Sequence, residues 1–289
     1  MRTDVFDNAI FELINQSAIS LEKILDSDLL FFHGGIYPHY LNYFRDFVAE
    51  LAQKNENKKN TLTIVLRTPG GSAETAERFV NILRYHYEKI NFIVPDYAFS
   101  AGTILCMSGD KIYMDYSSTL GPIDPQVPVP GSNDYVPALG YIDKVKEITE
   151  KGNLAPADVV LLKSIDLGKL ALFEQARDLS VLLLKDWLVK YKFANWTEHR
   201  TTNPGNPVTL DDKKARAEQI ALDLANHNKW KSHGRSLDLQ KLQELRIEIE
   251  DYSRDNQLSK PLKQYNDALV GYVDRLNIPF FMHNRLIAV

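Results

Sequence analysis

Three short signatures, each placed after an apolar run, lie between residues 61 and 126 and constrain the fold more than any other feature. Residues 68–71 (Thr-Pro-Gly-Gly) follow the first run, and residues 98–103 (Ala-Phe-Ser-Ala-Gly-Thr) follow the second. Residues 121–126 (Gly-Pro-Ile-Asp-Pro-Gln) come after the third. Apolar runs that alternate with stretches of helical periodicity predict βαβ units and a parallel sheet. Because the carboxyl ends of parallel strands meet at one edge, we expect the three signatures to lie together there.

Hydrophobic periodicity predicts alternating strands and helices in the first part of the chain and mainly helices after residue 137. The predicted strands are 29–32, 61–67, 91–95 and 111–115, and the predicted helices are 4–25, 38–54, 72–88, 101–109, 138–151, 156–192, 209–226 and 260–276. Residues 116–137 contain five prolines and predict a loop with little regular structure. Ile247 and Ile249 indicate a small strand.

These elements predict one α/β domain with parallel βαβ units in its core. Residues 1–27 form an N-terminal helix, residues 28–200 form the core, and residues 201–289 form a mainly helical C-terminal portion of the same domain.

Composition excludes several classes of protein. A net charge of −4 and a pI near 6.0 argue against a dedicated nucleic-acid binder, which usually carries a basic excess. Cys106 is the single cysteine, so no intrachain disulfide can form, and its apolar neighbours predict a buried structural thiol. The N-terminus lacks the pattern of a signal peptide, and no stretch approaches the roughly 18 apolar residues of a membrane span. We therefore expect a soluble cytoplasmic protein.

Ser100 is the candidate nucleophile. It precedes small residues at a strand-to-helix turn, where the helix dipole favours developing negative charge. The N–H groups of Gly71 and Ala101 could hold an oxyanion. Each feature alone has a simpler explanation, because Ser100 could cap the following helix and Gly-Gly could form an ordinary turn. The combination in this order is what favours acyl transfer, most simply peptide hydrolysis.

The three signatures together resemble the Clp-protease/crotonase superfold. Within it, the sequence is most similar to the signal-peptide-peptidase-A-like group called the serine dehydrogenase proteinase family. The family pattern reads T-P-G-G, V-P-x-x-A-x-S-x-G-T and L-G-P-x-D-P-Q, which residues 68–71, 94–103 and 120–126 match. Two later patterns, D-x-x-x-K-A and W-x-x-H, correspond to residues 166–170 and 230–233. In the first, two residues instead of three separate Asp166 from Lys169, and Leu170 replaces the alanine. The resemblance covers roughly residues 28–250 and implies a Clp/crotonase-like core.

The resemblance implies a serine nucleophile with a lysine base. Lys169 matches the downstream pattern, whereas Lys144 lies 44 residues beyond Ser100, a spacing similar to that of Ser/Lys relatives. A different base, or none, stays open. No histidine follows Ser100 where the Clp proteases place theirs, which makes a Ser-His-Asp triad less expected. Gly70 and His233 are candidates for substrate binding, although His233 could equally hold a loop by hydrogen bonds.

The expected function is a serine peptidase that acts on peptides or partly unfolded proteins without a metal or another cofactor. None of the histidines shows the spacing of a metal site such as H-E-x-x-H. Two alternatives share the fold: a crotonase-type acyl-CoA enzyme, and a catalytically inactive scaffold.

We also expect a homo-oligomer. The apolar face of helix 4–25 and the apolar tail 278–282 must each pack on their own subunit or on a neighbour. We expect at least one of them to pack on a neighbour.

Overall fold

The computed structural model describes residues 2–128, 135–201 and 204–288. The strands are β1 (Asp28–Gly34), β2 (Thr61–Arg67), β3 (Lys89–Val94), β4 (Tyr97–Ala98), β5 (Lys111–Met114), β6 (Thr119–Leu120), β7 (Gln126–Pro128), β8 (Tyr135–Pro137), β9 (Glu250–Asp251), β10 (Phe280–Asn284) and β11 (Ile287–Ala288). The helices are α1 (Arg2–Leu25), α2 (Leu41–Lys54), α3 (Ala73–His86), α4 (Ala101–Met107), α5 (Ala138–Thr149), α6 (Pro156–Ser164), α7 (Leu167–Trp187), α8 (Leu210–Ala225), α9 (His227–Trp230), α10 (Leu239–Glu244) and α11 (Asn256–Leu276). A 3-10 turn (Pro38–Tyr40) precedes α2, and a π turn (Leu188–Lys192) follows α7.

The main sheet has the strand order β11-β10-β1-β2-β3-β5-β9. Neighbours from β1 to β9 in this order pair in parallel, whereas β10 is antiparallel to both β1 and β11. Helices connect the parallel strands, so the predicted α/β core of parallel βαβ units is confirmed.

Both faces of the sheet are covered, which explains why its strands are apolar along their whole length. In β1, Leu30 and Phe32 belong to one buried cluster, and Leu29 and Phe31 belong to another on the opposite face. The first cluster also contains residues of α2, α3, α4 and α8. The second contains residues of α1 and α11. Successive side chains of a strand point to opposite faces, so each run of apolar residues serves two cores.

Two predicted elements are wrong. The helix expected over 156–192 is divided into α6, α7 and the π turn, with a break at Ile165 and Asp166. The side chain of Asp166 accepts a hydrogen bond from the N–H of Gly168 at 2.9 Å, which competes with continued helix at this point. The loop expected over 116–137 contains β6, which pairs with β4, and β7, which pairs with β8.

The C-terminal portion contributes strands to the core sheet as well as helices. The apolar tail 278–282 leads into β10, which pairs with β1. Phe281 and Met282 of this strand are buried. The apolar face of α1 packs on α11 in the same chain. Ile247 and Ile249 lie just before β9 rather than in a strand. The tail and one side of α1 therefore pack on their own subunit, whereas Leu13, Ile19 and Ile24 of α1 remain 65%, 41% and 44% exposed. The expectation that one of the two packs on a neighbour stays a prediction.

Candidate active site

The end of β2 lies between the segment after β1 and the segment before α4. On one side, the N–H of Ile36 donates to the carbonyl of Gly70 at 2.8 Å, and the N–H of Ser72 donates to the carbonyl of Ile36 at 2.9 Å. On the other side, Thr68 forms a parallel bridge with Ala98. Gly70 and Ser72 both bond to Ile36, and Gly71 lies between them. In a parallel bridge, a residue in this position turns its own N–H away from the partner strand. The N–H of Gly71 therefore points away from Ile36, toward the side on which α4 begins.

Ser100 occupies the N-cap position of α4 in a strained conformation. Its φ is 52° and its ψ is −117°, a region that residues with a side chain rarely adopt. Such a residue costs about 1–3 kcal/mol and persists only where the surrounding structure holds it. Among the residues that the structure describes, its side chain makes no capping hydrogen bond. The simpler explanation of Ser100 as a helix cap is therefore wrong.

Gly70 touches Ser100 so closely that no other residue fits. A Cβ atom placed on Gly70 would lie 2.9 Å from Cβ of Ser100 and 2.5 Å from the carbonyl oxygen of Phe99. The φ of Gly70 is 99°, which also requires glycine. The first two signatures are thus in contact, and Gly70 lies directly beside the serine.

The two predicted oxyanion donors border this contact. Ala101 is the first residue of α4, so its N–H has no acceptor within the helix and carries part of the positive end of the helix dipole. Gly71 follows Gly70 and is exposed. Within the described ranges, neither N–H donates to a backbone carbonyl outside helices and strands. Both N–H groups are therefore available to donate a hydrogen bond to an acceptor beside the Ser100 side chain.

Thr103 ties the third signature to the first turn of α4. Its hydroxyl lies 2.9 Å from the carbonyl oxygens of Ala98 and Gly121, and it accepts a hydrogen bond from the N–H of Gly121 at 3.0 Å. The single hydroxyl hydrogen serves one of the two carbonyls at a time. All three signatures thus meet at one edge of the sheet, as the strand order predicts.

Asp124 and His233 form a pair that sequence reasoning missed. Nδ1 of His233 lies 3.0 Å from Oδ1 of Asp124, which is only 1% exposed. A buried carboxylate needs such a partner, and this contact fixes both the histidine ring and the third signature. The sequence offered Asp124 in the third signature as a sign of this pair, but its partner His233 lies 109 residues away along the chain. The pairing suits the structural alternative for His233 and leaves Nε2 for a further contact.

The two candidate bases lie on different helices. Lys169 is in the first turn of α7, but its side chain lies outside the described residues. Lys144 is on α5, where its amine contacts both carboxylate oxygens of Glu147, at 3.0 and 2.9 Å. Its side chain is 55% exposed, so water screens the pair. The assignment of the base stays a prediction.

In the described part of the chain, no group of three or more His, Cys, Asp or Glu side chains could hold a metal ion. No helix within those ranges combines the length and apolarity needed to cross a bilayer. Cys106 is buried, and its burial raises the pKa of the thiol far above the usual value, which suits a structural role.

Comparison with known proteins gives one matching family and two similar sequences. The sequence model of the ClpP-like SDH-type serine proteinases matches residues 50–216. One uncharacterized protein of Methanocaldococcus jannaschii is 31% identical over 171 residues, which are 58% of this chain and 54% of the relative. A second from the same organism is 29% identical over 188 residues, which are 65% of this chain and 51% of the relative. The chain spans about half the length of these relatives.

Two solved structures of low similarity are variants of the 1510-N membrane-bound stomatin-specific protease. The first has 14% identity and a TM-score of 0.46, and the match covers 80% of this chain and 81% of that one. The second, in complex with a substrate peptide, has 16% identity and a TM-score of 0.47, with coverages of 80% and 77%.

Proposed function

This chain belongs to the ClpP-like SDH-type serine proteinase family, and from that premise we propose that it hydrolyses peptides or partly unfolded proteins through an acyl-enzyme on Ser100. The observation that carries the proposal is the strained Ser100 at the start of α4, whose side chain caps nothing and touches Gly70. A strained residue at a contact between two loops is typical of a functional site, because folding alone does not reward it.

In the proposed mechanism, Oγ of Ser100 attacks the carbonyl carbon of the scissile bond and gives its proton to a base. The negative charge that forms on the carbonyl oxygen is stabilised by the N–H groups of Gly71 and Ala101. The protonated base then gives its proton to the leaving amine, and the acyl group remains on Ser100. Water, deprotonated by the same base, releases the acyl group and restores the hydroxyl. Gly70 and His233 are proposed to border the bound substrate.

We propose Lys169 as the base, with Lys144 as the alternative. A lysine accepts a proton only when it is neutral, which requires burial that lowers its pKa. The support for Lys169 is its match to the family pattern and its place in the first turn of α7. Lys144 is half-exposed and paired with Glu147. It would have to leave this pair before it could act.

The test of the nucleophile is Ser100→Ala, measured by labelling with a fluorophosphonate probe and by hydrolysis of fluorescent casein. We expect loss of labelling and a fall in hydrolysis of about 10³-fold or more, because the attacking oxygen is gone. Ser108→Ala is the matched control. Ser108 lies just beyond the other end of α4, and its hydroxyl donates to the carbonyl of Leu105.

Three results would contradict the proposal. Hydrolysis by purified Ser100→Ala at the native rate would remove Ser100 as nucleophile. Turnover of acyl-CoA thioesters by the same variant would favour the crotonase-type alternative, which needs no serine. Native protein that neither labels nor hydrolyses casein would favour a scaffold. Circular dichroism of each variant shows whether the fold is retained.

A further inference from the structure

A cavity of about 690 Å³ lies where the π turn after α7 meets α8, α10 and the segment before β9. Its volume is in the range of small-molecule sites in proteins. The residues that carry the argument are Lys192, Phe193, Trp196, Arg216, Arg246 and Ile247. We call this space the basic cavity.

The basic cavity is separate from the Ser100 site. The charge of Lys192 acts on Cys106, near the C-terminal end of α4, and on Lys111, the first residue of β5. Ser100 lies at the other end of α4, and six residues of helix span about 9 Å. The cavity thus lies toward the amino ends of the parallel strands, whereas the three signatures follow their carboxyl ends. The inference is therefore independent of the proposed peptidase activity.

The lining keeps an excess of positive charge after its internal pairs are counted. Arg200 pairs with Glu248 at 2.9 Å, and Nε2 of His199 lies 3.6 Å from Asp212. These contacts engage the acidic side chains that line the cavity.

Lys192, Arg216 and Arg246 remain as basic groups of the lining. Burial and the neighbouring charge of Arg246 lower the pKa of Arg216, which shows that the two guanidinium groups repel one another.

The position of Arg246 is fixed by a strained backbone. Its φ is 53°, in the left-handed region that residues with a side chain seldom occupy. Its N–H donates to the carbonyl of Gln243 at 2.7 Å, and the guanidinium of Arg216 donates to the carbonyl of the preceding residue, Leu245. The turn after α10 thus holds two arginines toward one space. A bound anion would relieve their repulsion.

The remaining wall is apolar and aromatic. Phe193 and Trp196 pack edge to face with ring centroids 5.5 Å apart, and Ile247 is buried behind them. An aromatic wall beside clustered guanidinium groups suits a ligand that has an apolar body and one charged end.

We propose that the basic cavity binds a small organic anion. Its carboxylate or phosphate group is held by Arg246, Arg216 and Lys192, and its apolar body packs on Phe193 and Trp196. Bidentate hydrogen bonds from arginine suit both kinds of oxyanion.

The titration of Lys192 agrees with this assignment. Burial lowers its pKa to about 8, although Glu248, Glu250 and Asp110 favour the charged form. Lys111 faces the same region with a like charge, and the buried Cys106 thiol carries none. An oxyanion beside the amine would raise this pKa again.

The experiment is calorimetric titration of the full chain with 8-anilinonaphthalene-1-sulfonate at pH 7. This probe carries an aromatic body and one anionic group. We expect saturable binding that weakens at least 10-fold in both Arg246→Gln and Lys192→Met. Arg45→Gln, a change at an exposed arginine on α2, serves as the control and leaves the affinity unchanged. A second titration with inorganic phosphate should show binding at least 10-fold weaker than that of the probe, because phosphate has no apolar body.

Three results would overturn the inference: no saturable binding by the native chain, unchanged affinity in both cavity variants, or phosphate that binds as tightly as the aromatic probe. Lys192→Met keeps the packing of the side-chain stem and removes a desolvated charge, so it is expected to fold even if Arg246→Gln does not.

Discussion

Ser100 combines a reactive group with a backbone conformation that only its surroundings can maintain. The close approach of Gly70 holds it from one side. From the other, Thr103 links the start of α4 to Ala98 and Gly121 by its hydroxyl. The strain of about 1–3 kcal/mol is therefore offset by contacts that also position the proposed oxyanion donors. At this scale, the geometry of a single residue is set by two neighbouring loops.

Replacing Gly70 with alanine tests this dependence. The new Cβ would meet the Phe99 carbonyl at 2.5 Å and Cβ of Ser100 at 2.9 Å, in a backbone conformation with φ of 99°. We expect casein hydrolysis to fall about 100-fold, since a shift of roughly 1 Å at a reacting group has this effect. The free energy of unfolding should fall by about 1–3 kcal/mol. Activity assays and thermal unfolding measure the two changes.

Gly271→Ala on α11 is the matched control for Gly70→Ala. No atom lies within 4 Å of a Cβ placed there, and the residue is helical, so we expect native activity and a gain of about 0.5–1 kcal/mol. Native activity in Gly70→Ala would show that the contact with Ser100 is not required.

At the scale of secondary-structure elements, the site depends on short connections between strand ends and helices. The end of β2 is held on both sides, by the segment after β1 and by the bridge to β4. The beginning of α7 is set by a break at Ile165 and Asp166, directly before the helix that carries Lys169. The two candidate bases lie on different helices, Lys144 on α5 and Lys169 on α7.

Substituting each lysine with methionine distinguishes the two helices. We expect Lys169→Met to abolish casein hydrolysis and Lys144→Met to reduce it less. Methionine keeps most of the packing of the lysine stem and removes the amine, so the fold should be retained. Steady-state rates, with circular dichroism as a check on folding, measure the effect. An inactive Lys144→Met beside an active Lys169→Met would reverse the assignment.

The sequence was sufficient for elements that are defined by local patterns. The apolar runs of β2, β3 and β5 and the glycines of the first signature are local, and they predict where the signatures meet. The pairing of Asp124 with His233 joins residues 109 positions apart, and no pattern near either one requires it. The φ of Ser100 was equally beyond prediction, because it depends on how Gly70 packs against it. Tertiary contacts, not local preference, decide these features.

At the scale of the whole molecule, large apolar residues remain exposed on α6 and on α7. Val160 is 67% exposed, Leu161 is 49% exposed, and Leu172 is 62% exposed. Soluble monomers rarely leave clustered apolar side chains in water. Together with the exposed apolar side chains of α1, those of α6 and α7 support a homo-oligomer.

We expect light scattering at micromolar concentration to give a mass above the 33.0 kDa of one chain. Val160→Glu should lower that mass, because a charge placed in an apolar contact is costly to desolvate. Tyr85→Glu changes an exposed side chain on α3 and should leave the mass unchanged. A native chain that is monomeric and fully active would contradict the prediction of an oligomer.

The place of β10 beside β1 has a consequence for the order in which the protein can form during synthesis. β1 leaves the ribosome early, but the strand that covers its open edge comes some 250 residues later. Until then, the N–H and C=O groups along this edge of β1 have no partner strand. Ile36, which forms the bridge to Gly71, follows this strand. Contacts of such long range also form slowly. A nascent chain therefore cannot complete the frame around Ser100 before residue 284 is made, which delays the proposed cleavage of unfolded chains beside it.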